Sequence, residues 1–282
     1  MKLTILLGLT AIVGITHAAN VDIGANITSF DAVNDVLTNT GGLTTWSAGW
    51  SAGTDFSGQD FTTLGVTTIE VTAPTTNGTA SDNFSGANFN GLILATSNSA
   101  GNNYFYNDNF SGATFVGSTI NLNGNGAYGN QPFIGANLTG TDFSGATFNY
   151  DPYGSTTSTQ VVNIFRDATM SGADFTGAIF NFTIEGSGVN VVSGFWGDGA
   201  VDLTDATFNF TGDSGHVATV TAALVDNFDA SNTYNQAFFD NNYAAFGFTD
   251  ATSFMTAVIP EPSSTALLSM GALAFCMRRK RG

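Results

Sequence analysis

Large apolar residues recur at every fifth position through the middle of the chain, and a small residue often stands two places before each. From Ala136 the sequence reads A-N-L-T-G, T-D-F-S-G, A-T-F-N-Y, and from Ala168 it reads A-T-M-S-G, A-D-F-T-G, A-I-F-N-F. This period fits neither the repeat of about 3.6 residues in a helix nor the alternation of a strand. It predicts a coil that turns a corner every fifth residue, with Gly at the corners and Asn, Asp, Ser and Thr bonding the turn backbone.

The five-residue blocks are grouped into a longer repeat. Related motifs return every 26 to 33 residues, led by Phe56, Phe84, Phe110, Phe143, Met170 and Leu203. Strand-like stretches follow the blocks at 66–71, 91–95, 119–122, 180–184 and 208–210, and then come Gly/Asn/Ser loops. We therefore predict an all-β solenoid of about six coils over residues 54–213. The residues predicted to form its core are Phe56, Phe61, Phe84, Phe89, Phe110, Phe115, Leu138, Phe143, Phe148, Met170, Phe175, Phe180, Leu203 and Phe208.

This pattern resembles the pentapeptide-repeat family, in which Ala, Asp or Asn, and Leu or Phe are followed by two polar residues. The resemblance implies a right-handed β-helix in which the Leu or Phe and the Ala two places before it point inward. Pure pentapeptide arrays consist of such blocks alone, whereas strand-like stretches and variable loops lengthen each coil here. We therefore expect a solenoid with a less regular cross-section than the four-sided coil of that family.

The segments on either side of the repeats are predicted to cap the open ends of the solenoid. Residues 26–42 predict a helix, because Ser29 can serve as an N-cap, an apolar stripe follows and two Gly end it. After the repeats, short helices are expected around 235–243 and 250–257. The predicted domains are an N-terminal cap at 19–53, the solenoid at 54–213, and a C-terminal cap and linker at 214–258.

The first residues predict a secretory signal peptide at 1–18. Lys2 precedes an apolar run, which gives way to small residues. Cleavage is expected after Ala18 or Ala19. Ala18 fits better, because Thr16 then occupies the upstream position that requires a small residue.

The last residues, 259–282, combine a proline motif, a short apolar run and a basic cluster. The motif consists of Pro260, Glu261 and Pro262. The apolar run would form about 22 Å of helix, which is short for a bilayer core of about 30 Å. The basic cluster, expected to stay in the cytoplasm, consists of Arg278, Arg279, Lys280 and Arg281.

The order of these three parts resembles the PEP-CTERM sorting signal of Gram-negative bacteria. The resemblance implies that exosortase, a membrane protease-transpeptidase, recognises the proline motif, removes the tail and releases the body to the cell surface. It also implies the secretion machinery as a partner and a transient anchor in the inner membrane, through a transmembrane helix. The alternative is a permanent tail anchor.

Charge is distributed unevenly along the chain. Of 22 acidic and 6 basic residues, the segment 19–259 holds 21 carboxylates and one guanidinium, a formal charge of −20. Such a surface repels phosphate, which argues against nucleic-acid binding, and it attracts divalent cations. The 25 Phe argue against disorder. Cys276 is the only cysteine, so neither an internal disulfide nor a Cys-based metal site is predicted.

No combination of residues in the body predicts a catalytic or metal site. The sequence G-N-G-A-Y-G at 124–129 matches a dinucleotide motif, but no helix is predicted after it, so we interpret it as a loop. His216 has no nucleophile motif beside it and is interpreted as part of a turn entering a strand. Arg166 would suit a lyase, but pairing with Asp167 or with a carboxylate of an adjacent coil is the simpler interpretation. The repeated Asp and Asn are interpreted as turn residues, with weak Ca²⁺ binding as the alternative.

The sequence therefore favours an exported, non-enzymatic protein of the cell surface, outer membrane or extracellular matrix. Exopolysaccharide and biofilm are what the sorting resemblance implies. The alternative is a polysaccharide-binding or polysaccharide-degrading β-helix, which would need several exposed aromatic residues on one side. The candidates for these are Trp46, Trp50, Tyr104, Tyr106, Tyr128, Tyr153 and Trp196. DNA mimicry is disfavoured by export, and ice binding is disfavoured because Thr residues do not recur at matching positions in each coil.

Overall fold

The computed structural model describes residues 29–31, 36–38, 45–48, 55–64, 67–71, 82–96, 105–123, 133–151, 159–161, 164–184, 188–190 and 196–259. The strands in these ranges are β1 Ser29–Asp31, β2 Val36–Thr38, β3 Thr45–Ala48, β4 Thr68–Val71, β5 Ile93–Thr96, β6 Thr119–Asn123, β7 Thr147–Asp151, β8 Thr159–Val161, β9 Ile179–Ile184, β10 Gly188–Asn190 and β11 Thr207–Gly212. The helices are a 3₁₀-helix at Phe61–Leu64, α1 Ser214–Asn227, α2 Gln236–Asn242 and α3 Ala251–Val258.

One parallel sheet runs through the repeat region. Its seven strands stack in the order β3, β4, β5, β6, β7, β9, β11, and β8 and β10 form a separate parallel pair. Parallel neighbours need a crossover connection, which the rest of each coil supplies. The predicted β-solenoid is confirmed, and strands lie at all five predicted stretches. The sheet also contains β3 and β7, which were not predicted, so the coil count differs somewhat from six.

All four sides of a coil fall within the described residues at 105–123, 133–151 and 164–184. One side is the sheet, two are five-residue blocks joined by isolated parallel bridges, and the fourth is a turn. Corner residues such as Gly86 and Gly112 both have a φ of 66°, in the left-handed region where Gly is unstrained. On the fourth side the same conformation falls on Asn107, Gly135 and Asp167, with φ of 58°, 65° and 60°. Asn and Asp tolerate this conformation better than other residues.

Four columns of buried side chains fill the core, one from each side of the coil. Neighbouring rings of a column stack closely, with the centroids of Phe61 and Phe89 4.5 Å apart and those of Phe89 and Phe115 4.7 Å apart. This distance matches the strand spacing of about 4.8 Å, so each coil adds one side chain to each column. The columns are Phe56, Phe84, Phe110, Leu138 and Met170; Phe61, Phe89, Phe115, Phe143, Phe175 and Leu203; Ile69, Leu94, Ile120, Phe148, Phe180 and Phe208; and Phe105, Phe133, Phe165 and Trp196. Every residue predicted for the repeat core lies in the first three columns.

The register between coils differs from the alignment that the motifs suggest. The motif that begins at Asn109 most resembles the block that begins at Asp142. In the structure, Asn109 pairs instead with Asn137, which begins the preceding block. Phe143 therefore lies in the second column, where its ring centroid is 4.9 Å from that of Phe115. The interpretation of Phe143 and Leu203 as leading residues of their coils is wrong. Successive blocks are so similar that a shift by one block leaves the motif match almost unchanged.

A ladder of side-chain amides runs along one corner of the solenoid. Asn83 donates from Nδ2 to Oδ1 of Asp55 at 2.9 Å. Asn109 then donates to Asn83 at 3.0 Å, and Asn137 donates to Asn109 at 3.1 Å. Each amide of the ladder also uses its oxygen to accept a backbone N–H two residues later, as Asn109 does from Ser111. The ladder therefore fixes both the corner and the stacking of one coil on the next.

The helix predicted at 26–42 is wrong. β1 and β2 pair as an antiparallel hairpin, with Phe30 opposite Leu37 and the supposed N-cap Ser29 inside β1. The segment is rich in Asn, Asp, Thr and Val, which are weak helix formers. Its apolar spacing suits the paired strands as well as a helix.

Three helices cover the C-terminal end of the solenoid. α2 and α3 confirm the two helices expected after the repeats, and they begin at the N-caps Asn235 and Asp250. α1 was not predicted, and its N-cap Asp213 accepts two backbone N–H groups. The cap packs on the last coil, where the rings of Phe208 and Phe238 meet edge to face with centroids 6.3 Å apart. The apolar end of the core is thereby shielded from water.

Candidate functional site

The predicted sorting residues lie outside the part of the chain that the structure describes. These are the signal cleavage residues Ala18 and Ala19, the motif Pro260, Glu261 and Pro262, and the cluster Arg278, Arg279, Lys280 and Arg281. The predicted transmembrane helix lies there too. Within the described ranges, no helix has the length and apolar character that a membrane crossing requires.

The two candidates for chemistry in the body have local partners. Arg166 Nε lies 3.3 Å from Oδ2 of Asp167, one of the pairings expected for it. His216 lies in the first turn of α1, and the interpretation of this stretch as a turn entering a strand is wrong. Its Nδ1 is 3.4 Å from Oδ1 of Asp213, the same oxygen that accepts its backbone N–H at 3.2 Å. Over the described ranges, no three acidic, His or Cys side chains come together as a metal site.

The aromatic candidates for sugar stacking do not form one exposed row among the described residues. Trp196 is only 8% exposed and continues the fourth core column. Its ring stacks on Phe165 with a centroid distance of 5.6 Å and an interplanar angle of 5°. Tyr106 is half-buried on the fourth side, and Trp46 belongs to β3. The remaining candidates lie outside the described residues.

Two buried carboxylates occupy a position that Ala holds in the following coils. Asp82 and Asp108 are 6% and 3% exposed. In their coils they hold the position that Ala136 and Ala168 hold in the next two coils. Oδ1 of Asp108 accepts the backbone N–H of Asp82 at 2.8 Å, while its Oδ2 is buried without a hydrogen-bond partner. Burial, reinforced by repulsion from Asp82, raises the pKa of Asp108 to about 8. Asp108 is therefore mostly protonated at neutral pH and stabilises the preceding coil as a neutral acceptor.

The outward side of the sheet presents two columns, which together we call the Thr–Asn face. The first column has a β-branched residue from every strand of the sheet, namely Thr45, Thr68, Ile93, Thr119, Thr147, Ile179 and Thr207. The second column is a ladder in which Asn149, Asn181 and Asn209 each donate to the Asn of the coil before, at 2.8, 2.8 and 2.9 Å, starting from Asn121. Thr does not hold this position in each coil, since Ile93 and Ile179 stand in β5 and β9, but it recurs there in five of the seven strands, more often than the sequence indicated. Loops of unequal length hide the match in the sequence.

From β5 onward, the described side chains of the Thr–Asn face carry no charge, although residues 19–259 have a formal charge of −20. From Ile93 to Thr211, its described side chains are Thr, Asn, Ile and Ala only. The acidic residues of these strands are Glu70 in β4 and Asp151 at the end of β7. The negative charge of the body is therefore concentrated on other surfaces.

A groove of about 620 Å³ lies between α1 and the turn at 244–248. Its walls include Val217, Val225 and Phe248, and Asp226 is its only acidic lining residue. The lining offers apolar contact and few groups that could orient a polar substrate.

Two family models match the chain. The PEP-CTERM protein-sorting motif matches residues 258–281, and pentapeptide repeats (8 copies) match residues 133–150. The second match covers Phe133 to Tyr150, which make up the four sides of a single coil. No curated protein matches the chain. The chain therefore carries a PEP-CTERM sorting motif behind a body of pentapeptide repeats, which marks it as an exported protein sorted by an exosortase.

Proposed function

We propose that the chain is a non-enzymatic protein of the cell surface or extracellular matrix, held briefly in the inner membrane and then cleaved near its proline motif. The observation that carries this proposal is the match of the sorting motif to residues 258–281, placed directly after α3 ends at Val258. The last described helix thus ends where the sorting signal begins, so removing the tail would leave every described helix and strand intact.

The described part of the body supports a structural role. Its two candidate groups, Arg166 and His216, lie within 3.3 and 3.4 Å of neighbouring carboxylates, and both contacts are local in sequence. Most acidic residues of the blocks, such as Asp142 and Asp174, accept a backbone N–H two residues later at 2.9 and 2.8 Å. These carboxylates serve the corners of the solenoid. The surrounding exopolysaccharide is the partner proposed for such a body.

The test is the identity of the termini of the protein made by its native host, determined by intact mass and C-terminal sequencing. We expect a body that starts near Ala19 and ends near Pro260. Glu261→Gln should leave the tail on the protein, whereas the matched change Glu185→Gln, outside the motif, should be processed normally. An unaltered protein that still ends in Arg281 and Gly282 would overturn the proposal and leave a permanently anchored solenoid.

A further inference from the structure

The Thr–Asn face has an unusual combination of properties for an exposed sheet. Exposed strand positions usually include charged residues, which discourage one sheet from associating with another. The preference of β-branched residues for strands accounts for the Thr and Ile of the first column, but it does not account for the missing charge. A chain with 21 carboxylates between residues 19 and 259 places none among the described side chains of this face from Ile93 onward.

The face is also periodic in two directions. Along the axis, the rings beneath it are spaced regularly, with centroids 4.8 Å apart for Phe148 and Phe180 and 4.7 Å apart for Phe180 and Phe208. Along each strand, the two columns are separated by about 6.8 Å, the distance between alternate residues. The same ring pairs are rotated by only 9° and 12°. The buried rings beneath the face therefore repeat with nearly the same orientation from one coil to the next.

The side chains of the face are held in place before any partner arrives. Each described Asn after the first donates to the preceding one at 2.8 to 2.9 Å, and Thr and Ile have restricted rotamers. Binding therefore costs little side-chain entropy. The amides of Asn149, Asn181 and Asn209 each have a second N–H besides the one used in the ladder, and each Thr has a hydroxyl. The feature that Thr147 and Ile179 share is a γ-methyl group, which the first column repeats in every strand.

We propose that the Thr–Asn face binds the surface of ice. An ice surface is uncharged, flat and periodic in two dimensions, and its water oxygens repeat at distances comparable to the spacings of this face. The γ-methyl groups would fit between lattice oxygens, while hydroxyl and amide groups would join the hydrogen-bonded layer. A second copy of the chain is a poorer occupant, because the strongly acidic bodies repel each other. This inference does not depend on the proposed function.

The test is ice-affinity partition and thermal hysteresis of the protein as its native host exports it. We expect the unaltered protein to be enriched in slowly grown ice and to shape ice crystals. Thr147→Lys should reduce the fraction bound to ice at least tenfold, because it adds a long charged side chain to the first column. Thr139→Lys makes the same change in the same coil at an exposed corner of another side, and it should bind ice like the unaltered protein.

Two smaller changes keep the inference testable if Thr147→Lys fails to fold. Thr147→Val retains the γ-methyl group and should preserve ice binding, whereas Thr147→Ser removes it and should weaken binding several-fold. Exclusion of the unaltered protein from ice would overturn the proposal, as would equal ice binding by the Thr147→Lys and Thr139→Lys proteins. A dimer that Thr147→Lys dissociates, without ice binding by the unaltered protein, would assign the face to self-association instead.

Discussion

Replacing Asp108 with Asn should change how the stability of the solenoid depends on pH. The pKa of this carboxyl rises from its usual value of 3.8 to about 8, chiefly because it is buried. Below pH 3.8 the folded and unfolded chains both hold the proton. Between that value and about 8, the unfolded chain releases the proton while the folded chain keeps it. The free energy of unfolding therefore falls as the pH rises, by up to about 1.4 kcal/mol per pH unit.

The magnitude follows from the width of this window. Over its full span, Asp108 should remove on the order of 5 kcal/mol of stability as an upper limit. Asn has the shape of the protonated acid, and its oxygen can still accept the N–H of Asp82, which Asp108 accepts at 2.8 Å. Asp108→Asn should therefore change stability little near pH 4 and raise it by several kcal/mol near pH 8.

The assay is urea denaturation followed by circular dichroism, at several pH values from 4 to 8. The matched control is Asp142→Asn, because Asp142 occupies a corner position that Asn88 fills in an earlier coil and accepts the backbone N–H of Ser144 at 2.9 Å. The control should keep the pH dependence of the unaltered protein. The reasoning would be refuted if the stability difference between the Asp108→Asn and unaltered proteins stayed constant over this pH range.

Two further predictions concern packing. Phe143→Ala should lower the free energy of unfolding by about 3–5 kcal/mol, because the ring is fully buried and stacks at 4.9 Å on Phe115 and on Phe175. A loss below about 1 kcal/mol in urea denaturation would show that the column repacks. Asn181→Asp should cost about 1–3 kcal/mol, because the carboxylate cannot donate to Asn149 as the amide does at 2.8 Å. Unchanged stability in the same measurement would mean that the ladder contributes no net free energy.

The five-residue period was sufficient to predict the solenoid, its strand-like stretches and the residues of three core columns. The period is a local property, since each side of the coil needs one large inward side chain. Register is not local. Asn109 could pair with either Asn137 or Asp142 on motif similarity, and only the stacking of whole coils selects Asn137. The same uncertainty hid the Thr column, because the loops that separate Thr119, Thr147 and their partners differ in length.

Tertiary contacts decided the elements that the sequence pattern missed. α1 contains Gly, Val and Thr, which are weak helix formers, yet it forms because Asp213 caps it and Val220 and Leu224 are buried. The exceptional chemistry of Asp108 was equally hidden. Its sequence context shows only Asp where later blocks have Ala, and its pKa is raised by burial in the stacked coils and then by repulsion from Asp82, 26 residues away.

The amide ladder at the corner of the solenoid is electrically directional. Every Asn turns its NH₂ toward the preceding coil and offers its oxygen to the following one, so the side-chain dipoles add along the axis as peptide dipoles add along a helix. The donor end of this column meets the carboxylate of Asp55. An anion at that end is stabilised for the same reason as an acidic residue at the start of a helix. The ladder thus has its positive end toward the first coil and its negative end toward the helical cap.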